Sequence, residues 1–426
     1  MTTAPAPNLT RGGHRDAIDV ARVLALVLVV VGHLTLAVVD REEGGLRGAN
    51  LIALHPGWAA VAVAAPMPIF FAAAGWANAT SSALSAAPRL RTLVGAAAVV
   101  VIVWSAAVVV AQVVAGAPGI VADGARIATQ PVWFLAVYLP FVAGGRHLAR
   151  AAARRPGAVI GGCLGVLAVL DVARFVLDAP EWLGWPGFFV AWGVAWLAGA
   201  WWRDRVERGE FHEQRTGAML AIGAGAVAIV LVQTCGYSPA LIDAVDGARS
   251  NTTPPTLYTA TVALAQVGVL LVAASLLDAA GRRWRPLWDR SGEAAVGVYL
   301  WHLTALTLCA GVIAIGLPVP ERLTAAWWWT RPIWWAAVIT VALGFVTATA
   351  AVQARSRRSA QPSLRWALTG IVFATAGAGL VGLRGPRTVV LAAACSLLFV
   401  AAWLALGRCR GPDARAGEGP AGRIFG

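Results

Sequence analysis

The first strongly apolar segment of the chain carries three ionisable side chains on one helical face. Asp19, Arg22 and His33 are separated only by apolar or small residues. On a helix that turns about 100° per residue, Arg22 and His33 return to within about 20° of each other, and Asp19 precedes Arg22 by one turn. An imidazole can serve as a general base or accept an acyl or phosphoryl group briefly, and a guanidinium can hold an anionic oxygen. Because ionisable groups are costly at membrane depth, this face predicts a functional site.

A second histidine, His302, lies near the predicted midplane of a later apolar segment. Two buried histidines at comparable depth on different helices can face one cavity. The alternative is a structural hydrogen bond between helices, and the sequence leaves both open. The histidines lie on separate segments without a carboxylate spacing that demands zinc, so we expect no metal site.

Other polar residues lie near the predicted ends of the apolar segments. Arg89 and Arg91 flank the start of the third segment, where they suit the phosphates of a cytosolic cofactor, although arginines are also expected there from orientation alone. Asp171 and Arg174 predict an internal ion pair that snorkels outward. The loop 249–256 is dense in turn residues, which predicts either a structured, partly re-entrant loop over a cavity or a solvated turn.

The elements that must position these residues are membrane-spanning helices. Of 426 residues, 58% are hydrophobic and 13% are charged, which is too apolar for a soluble globular protein. A net charge of +13 is compatible with nucleic-acid binding, but the arginines lie in short loops between apolar runs, so we expect no nucleic-acid partner. The pattern predicts an all-α polytopic bundle of about twelve helices, at 18–39, 58–79, 91–115, 131–145, 157–177, 185–202, 216–235, 256–278, 292–316, 332–352, 365–383 and 388–406.

Alternate loops differ in their arginine content. One set, which includes both tails, holds about three times as many arginines as the other, so both termini are predicted to be cytoplasmic. The tails 1–15 and 407–426 are rich in Pro, Gly and Arg, which predicts disorder. No soluble domain is visible, and we expect membrane lipid around the chain and no obligate protein partner.

Together these segments resemble the membrane acyltransferase 3 family, integral membrane enzymes that acylate surface glycans, antibiotics and related molecules. The similar stretches follow the family order across the first ten segments. They are an Arg-X10-His spacing from Arg22 to His33, Phe70 and Phe71 with Gly75, the run from Trp133 to Tyr138, the run from Tyr299 to His302, and the loop from Ser250 to Thr256. The resemblance implies an acyltransferase-like core at 16–355 and two additional helices at 356–406.

The resemblance implies an enzyme of the bacterial cell membrane that moves an acyl group, with acetyl the expected one, from acyl-CoA to a hydroxyl. The acceptor is expected to be a glycan, a glycolipid or a secondary metabolite, and acyl-CoA is expected as a co-substrate rather than a bound cofactor. The expected catalytic residues are His33, Arg22 and His302. The expected contacts to the cofactor are Arg89 and Arg91. The expected substrate-binding residues are Asp19, Trp133, Tyr138, Asn251 and Thr252.

Some positions depart from the family pattern. Tyr138 stands where many members have a glutamate, so no carboxylate can act there. The usual arginine cluster before the third segment is reduced to Arg89 and Arg91, and Ala74 precedes Gly75 where a serine is usual. These departures affect the expected cofactor and substrate contacts, and they leave the resemblance to the family unchanged.

The main alternative is a secondary transporter or exporter with twelve helices. Twelve helices with both termini in the cytoplasm are a common transporter layout, and buried Arg and His residues suit proton coupling. Against it, Pro66 and Pro68 interrupt the second segment and have no counterpart six segments later. A third alternative is a non-catalytic sensor or scaffold. The sequence shows no large soluble domain that would support it.

Overall fold

Helices form nearly all of the regular structure. The computed structural model describes residues 15–42, 45–55, 65–116, 119–209, 211–241, 249–314, 320–356 and 362–408. The helices within these ranges are α1 (Asp16–Leu36), α2 (Leu51–Leu54), α3 (Met67–Asn78), α4 (Ala83–Ala115), α5 (Gly119–Thr129), α6 (Phe134–Arg154), α7 (Pro156–Phe175), α8 (Gly187–Glu207), α9 (Glu213–Thr234), α10 (Leu257–Arg283), α11 (Arg285–Ala314), α12 (Ala325–Ser356), α13 (Leu364–Leu383) and α14 (Val389–Gly407). Short 3₁₀ turns cover Gln130–Trp133 and Glu181–Gly184.

The predicted apolar segments correspond closely to these helices. Eleven helical stretches in the described ranges are long and apolar enough to cross a membrane. The remaining predicted segment, 58–79, is described only from residue 65, where α3 has 12 residues, fewer than the roughly 20 that a span needs. The prediction of an all-α polytopic bundle is therefore confirmed, and the chain is a multi-pass membrane protein. The cytoplasmic location of the termini stays a prediction.

The chain forms two compact units. The first contains Met1–Thr80 and Gly145–Val346, and the second contains Ser81–Gly144 and Thr347–Gly426. In the first unit, α1 packs against α3, α10 and α11, α3 packs against α8, and α9 packs against α10. In the second unit, α4 packs against α5 and α14, and α13 packs against α14. The two C-terminal helices therefore pack with the predicted third segment, and the proposed core boundary at 355 stays a prediction.

A β-hairpin follows α1, and it begins at Ala37, so the predicted first helix, 18–39, ends three residues too late and the predicted loop after it contains strands. Strands β1 (Ala37–Glu42) and β2 (Gly45–Asn50) pair antiparallel, with Ala37 opposite Asn50. The Asn50 side chain then caps α2 by accepting a hydrogen bond from the Ile52 amide at 3.0 Å. Leu51 and Ile52 are buried in an apolar cluster with residues of α1, α9, α10 and α12. This packing anchors the end of α1, close to His33.

The crossing of α3 and α8 depends on two glycines. A Cβ added at Gly75 would overlap the backbone oxygen of Trp196, and one added at Gly199 would overlap that of Ala72. The two backbones therefore approach as closely as small residues allow, which is the usual basis of tight helix packing in membranes. Gly75 therefore has a packing role at this crossing.

We expect Gly75→Ala to destabilise the protein by about 1–3 kcal/mol, because the new methyl group forces α3 away from α8. Thermal unfolding of the purified protein measures this effect. Gly161→Ala on α7 is the matched control, since an added Cβ there meets nothing within 4 Å. Equal stability of the two variants would contradict the tight crossing.

Candidate active site

The structure brings the two predicted histidines into direct contact. His33 lies near the end of α1 and is partly buried, and His302 lies on α11 with 0% exposure. The distance from His33 Nδ1 to His302 Nε2 is 2.9 Å, and the ring planes differ by only 19°. The sequence predicted a shared cavity or a structural hydrogen bond between helices, and the structure shows a hydrogen bond from one imidazole to the other.

The proton positions on this pair follow from their hydrogen-bond partners. His302 Nδ1 lies 2.6 Å from the backbone carbonyl oxygen of Tyr299, which can only accept, so Nδ1 carries a hydrogen. A neutral imidazole has one N–H, and an unpaired charge is costly at this depth, so His302 Nε2 is an acceptor. His33 Nδ1 must then donate to it. The lone pair of His33 consequently lies on Nε2, the nitrogen that a general base or a nucleophile would use.

Arg22 and Asp19 lie apart from the imidazole pair. Arg22 Nη1 is 3.6 Å from Asp19 Oδ1, and the two side chains are 42% and 36% exposed. His33 lies eleven positions after Arg22 on the helix, which corresponds to about 16 Å along the axis. Asp19, Arg22 and His33 lie on one face of α1, as the helical spacing predicts. At this distance, Arg22 and His33 can bind the same molecule only if it is long enough to reach both side chains.

The predicted cofactor contacts belong to the second unit. Arg89 is exposed and donates from Nη2 to the Ser81 hydroxyl at 3.1 Å. The Arg91 guanidinium lies over the ring of Trp403, 4.6 Å from its centroid, and against Gly407. The Arg91 contacts join α4 to α14, and the local bond of Arg89 leaves it more available to a ligand than Arg91.

The predicted aromatic substrate contacts also belong to the second unit. Trp133 ends the 3₁₀ turn before α6, is half-buried, and packs where a Cβ at Gly382 would meet it at 2.9 Å. Tyr138 lies one turn into α6, and its ring is 5.9 Å from that of Phe134. Their binding role stays a prediction.

The loop before α10 is structured rather than a solvated turn. Asn251 is 1% exposed, and its amide nitrogen donates to the carbonyl oxygens of Ser238 and Ala240, each at 2.8 Å. Its amide oxygen accepts from the Thr256 hydroxyl at 3.2 Å. These bonds engage both polar atoms of the Asn251 side chain and hold the loop in place, while its substrate-binding role stays a prediction. Thr252 follows it and is half-buried.

The predicted ion pair of α7 is present, but the prediction that its charged groups extend outward to the surface is wrong. Asp171 and Arg174 are 2% and 1% exposed, and their charged atoms are 3.4 Å apart. Asp171 also accepts from the Tyr237 hydroxyl at 2.9 Å and from the Leu257 amide at 2.7 Å. Burial, with the charge of Asp171, raises the pKa of Tyr237, so its hydroxyl stays protonated and donates. The pair therefore fixes the start of α10 rather than reaching the surface.

Composition predicts that the disordered N-terminal tail includes Arg15, and for this residue the prediction is wrong. Its guanidinium is 3% exposed and binds the carboxylates of Asp278 and Glu213. It also lies 5.1 Å from the ring centroid of Trp202. No local pattern marks this residue, because its partners lie about 200 residues or more away along the chain. The rest of the tail, and residues 409–426, lie outside the described residues.

A cavity of about 300 Å³ lies in the first unit near the arginine-rich ends of α6 and α8. Arg203 in its wall is engaged, with Nε donating to Glu207 at 2.7 Å. Arg146 and Arg150 also line it, lie one helical turn apart and are exposed. The cavity therefore offers positive charge of the kind that holds a phosphate group.

The fold and this site define the class of protein. It is a multi-pass helical membrane protein with two hydrogen-bonded imidazoles between α1 and α11. The model of the acyltransferase 3 family, described as an acyltransferase domain, matches residues 15–351. The chain therefore belongs to this family and is an acyltransferase, as the motifs predicted. No curated protein and no solved structure matches it. The match includes both histidines, and it removes the support for a transporter.

Proposed function

We propose that this enzyme transfers an acyl group, acetyl first among the candidates, from acyl-CoA to a hydroxyl of a glycan, glycolipid or secondary metabolite in a bacterial cell membrane. The observation that carries the proposal is the hydrogen-bonded chain from the Tyr299 carbonyl through His302 to His33. This chain leaves His33 Nε2 as the basic nitrogen. A positioned base of this kind is what acyl transfer to a hydroxyl requires.

In the proposed reaction, His33 Nε2 takes the proton of the acceptor hydroxyl as its oxygen attacks the thioester carbonyl. A C–O bond forms, the C–S bond breaks, and the imidazolium returns the proton to the departing thiolate. His302 accepts from His33 Nδ1 throughout and so holds the ring in one tautomer and orientation. An acyl-imidazole intermediate would use the same nitrogen, and the geometry suits both routes.

Arg22 suits the donor's phosphates rather than the reacting carbonyl. Its distance of about 16 Å from His33 along α1 is comparable to the extended pantetheine arm that separates a CoA thioester from its diphosphate. Asp19 would orient the guanidinium through their ion pair. This arrangement gives the Arg-X10-His spacing a physical reason.

Further phosphate contacts have two candidate sets. The predicted pair is Arg89 and Arg91, of which Arg89 is the more available. The second is Arg146 and Arg150 at the cavity, whose volume suits phosphate groups rather than the whole of CoA. Trp133, Tyr138, Asn251 and Thr252 stay candidates for the acceptor side.

The proposal is tested with the full chain purified into liposomes and given acetyl-CoA labelled in the acetyl group. We expect label to appear in a hydroxyl-bearing acceptor, with release of one CoA thiol for each acyl group moved. Mass spectrometry of glycans, lipids and secreted metabolites from producing and deletion strains identifies the acceptor. Accumulation of a solute inside the vesicles without any acylated product would contradict the proposal.

A further inference from the structure

One buried guanidinium in the first unit has no counter-ion in the described part of the chain. Arg331, on the second turn of α12, is 9% exposed. Its guanidinium carbon lies 4.1 Å from the ring centroid of Trp327 and 5.8 Å from that of Trp334. Its Nε is fully buried, and no described oxygen accepts a hydrogen bond from it. Aromatic ring faces are the observed neighbours of this charge.

The other buried arginines show what this position lacks. Arg15, Arg174 and Arg203 are each at least nine-tenths buried, and each is bound by at least one carboxylate. Burying a charge without a partner costs more than stacking on aromatic rings returns. The surroundings of Arg331 are therefore those of a site whose counter-ion comes from outside the described residues.

Two indole groups extend the same pattern. The Nε1 atoms of Trp334 and Trp335 are buried and have no acceptor among the described residues. Residues 331, 334 and 335 are spaced i, i+3 and i+4, so they share one face of α12. Guanidinium and indole groups donate hydrogen bonds and accept none, so the face presents donors only. Such a set matches a ligand with several acceptor oxygens and negative charge.

We propose that this face of α12 binds an oxyanion of the phosphate class, carried by an amphiphile. The guanidinium fork and the indole N–H groups suit phosphate oxygens. Trp328 and Trp329 are exposed beside the site, at 37% and 81%, and offer apolar surface for acyl chains. The proposal does not depend on the acyl-transfer reaction.

The test uses the full chain purified in a maltoside detergent without phospholipid. The probes are phosphatidylglycerol, diacylglycerol with the same chains, and glycerol phosphate, with binding followed by native mass spectrometry and thermal shift. We expect phosphatidylglycerol to bind and to raise the melting temperature, while diacylglycerol does neither. Weaker binding of glycerol phosphate than of the lipid would support a lipid headgroup as the ligand, and binding as tight as that of the lipid would contradict an amphiphile as the carrier of the phosphate.

Substitutions at Arg331 test whether its side chain binds the lipid or only stabilises the fold. We expect Arg331→Gln to weaken phosphatidylglycerol binding by about tenfold or more. Arg331→Lys should retain binding partly. The matched control is Arg365→Gln, an exposed arginine 5.9 Å from the Trp366 ring centroid, which should change the affinity by less than about twofold.

A third variant, Arg331→Met, tests whether the chain itself supplies the counter-ion of Arg331. Without added anion, we expect Arg331→Met to be at least as stable as the parent protein, because it removes an unpaired buried charge. The order should reverse when phosphatidylglycerol is present. Equal lipid affinity of Arg331→Gln and the parent protein, or a loss of stability of Arg331→Met in lipid-free detergent, would overturn the proposal.

Discussion

His33→Ala is expected to lower the rate of acyl transfer by about a thousandfold or more while the protein stays in the membrane. A positioned general base contributes typically 10²–10⁴-fold, and the loss of a nucleophile would cost no less. The substitution removes the nitrogen that the His302 contact leaves basic. Turnover of labelled acyl-CoA by equal amounts of membrane-inserted protein measures the effect.

The control for this substitution is His212→Ala. His212 is exposed directly before α9, and its side chain makes no capping hydrogen bond there. We expect this variant to keep the parent rate within about twofold, since it leaves the imidazole pair intact. Near-parent turnover by His33→Ala would remove His33 as the catalyst.

Arg15→Ala is expected to destabilise the protein by about 3–5 kcal/mol, which is the typical cost of removing one partner from a buried ion pair. Arg15 donates to Asp278 Oδ2 at 2.7 and 2.9 Å and to Glu213 Oε2 at 3.0 Å. Without it, both carboxylates stay in a largely buried position without their cation, beside the indole N–H of Trp202 and the amide of Ala17. Thermal or chemical unfolding of the purified protein measures the loss.

An exposed ion pair supplies the comparison for Arg15. Arg208 is 60% exposed and binds Asp204 one helical turn earlier. We expect Arg208→Ala to leave the free energy of unfolding almost unchanged, because solvent screens an exposed pair and its ordering costs entropy. If the two arginine variants lose similar stability, the Arg15 network is not a structural anchor.

The sequence predicted the parts of the fold that depend on local pattern. Apolar length and composition located the spanning helices, since lipid requires about 20 apolar residues per crossing. Helical periodicity placed Asp19 and Arg22 on the face of His33, and depth along the segments matched His33 with His302. These inferences rest on spacing and depth within individual helices, so they do not require knowledge of tertiary contacts.

The sequence could not predict features that long-range contacts create. Arg15 resembles a tail residue until Asp278 and Glu213 are packed around it. The direct bond between His33 and His302 depends on how α1 and α11 pack, which spacing does not specify. The donor-only surroundings of Arg331 likewise appear only when its neighbours are known.

The most direct test of the imidazole pair is a double-mutant cycle on turnover, with His33→Ala, His302→Ala and the double variant compared at equal amounts of folded protein. Because His302 acts through His33, we predict that the double variant is no slower than His33→Ala alone, as for catalytic residues that work as a unit. Losses that multiply, so that the double variant is slower by the product of the single effects, would contradict the account.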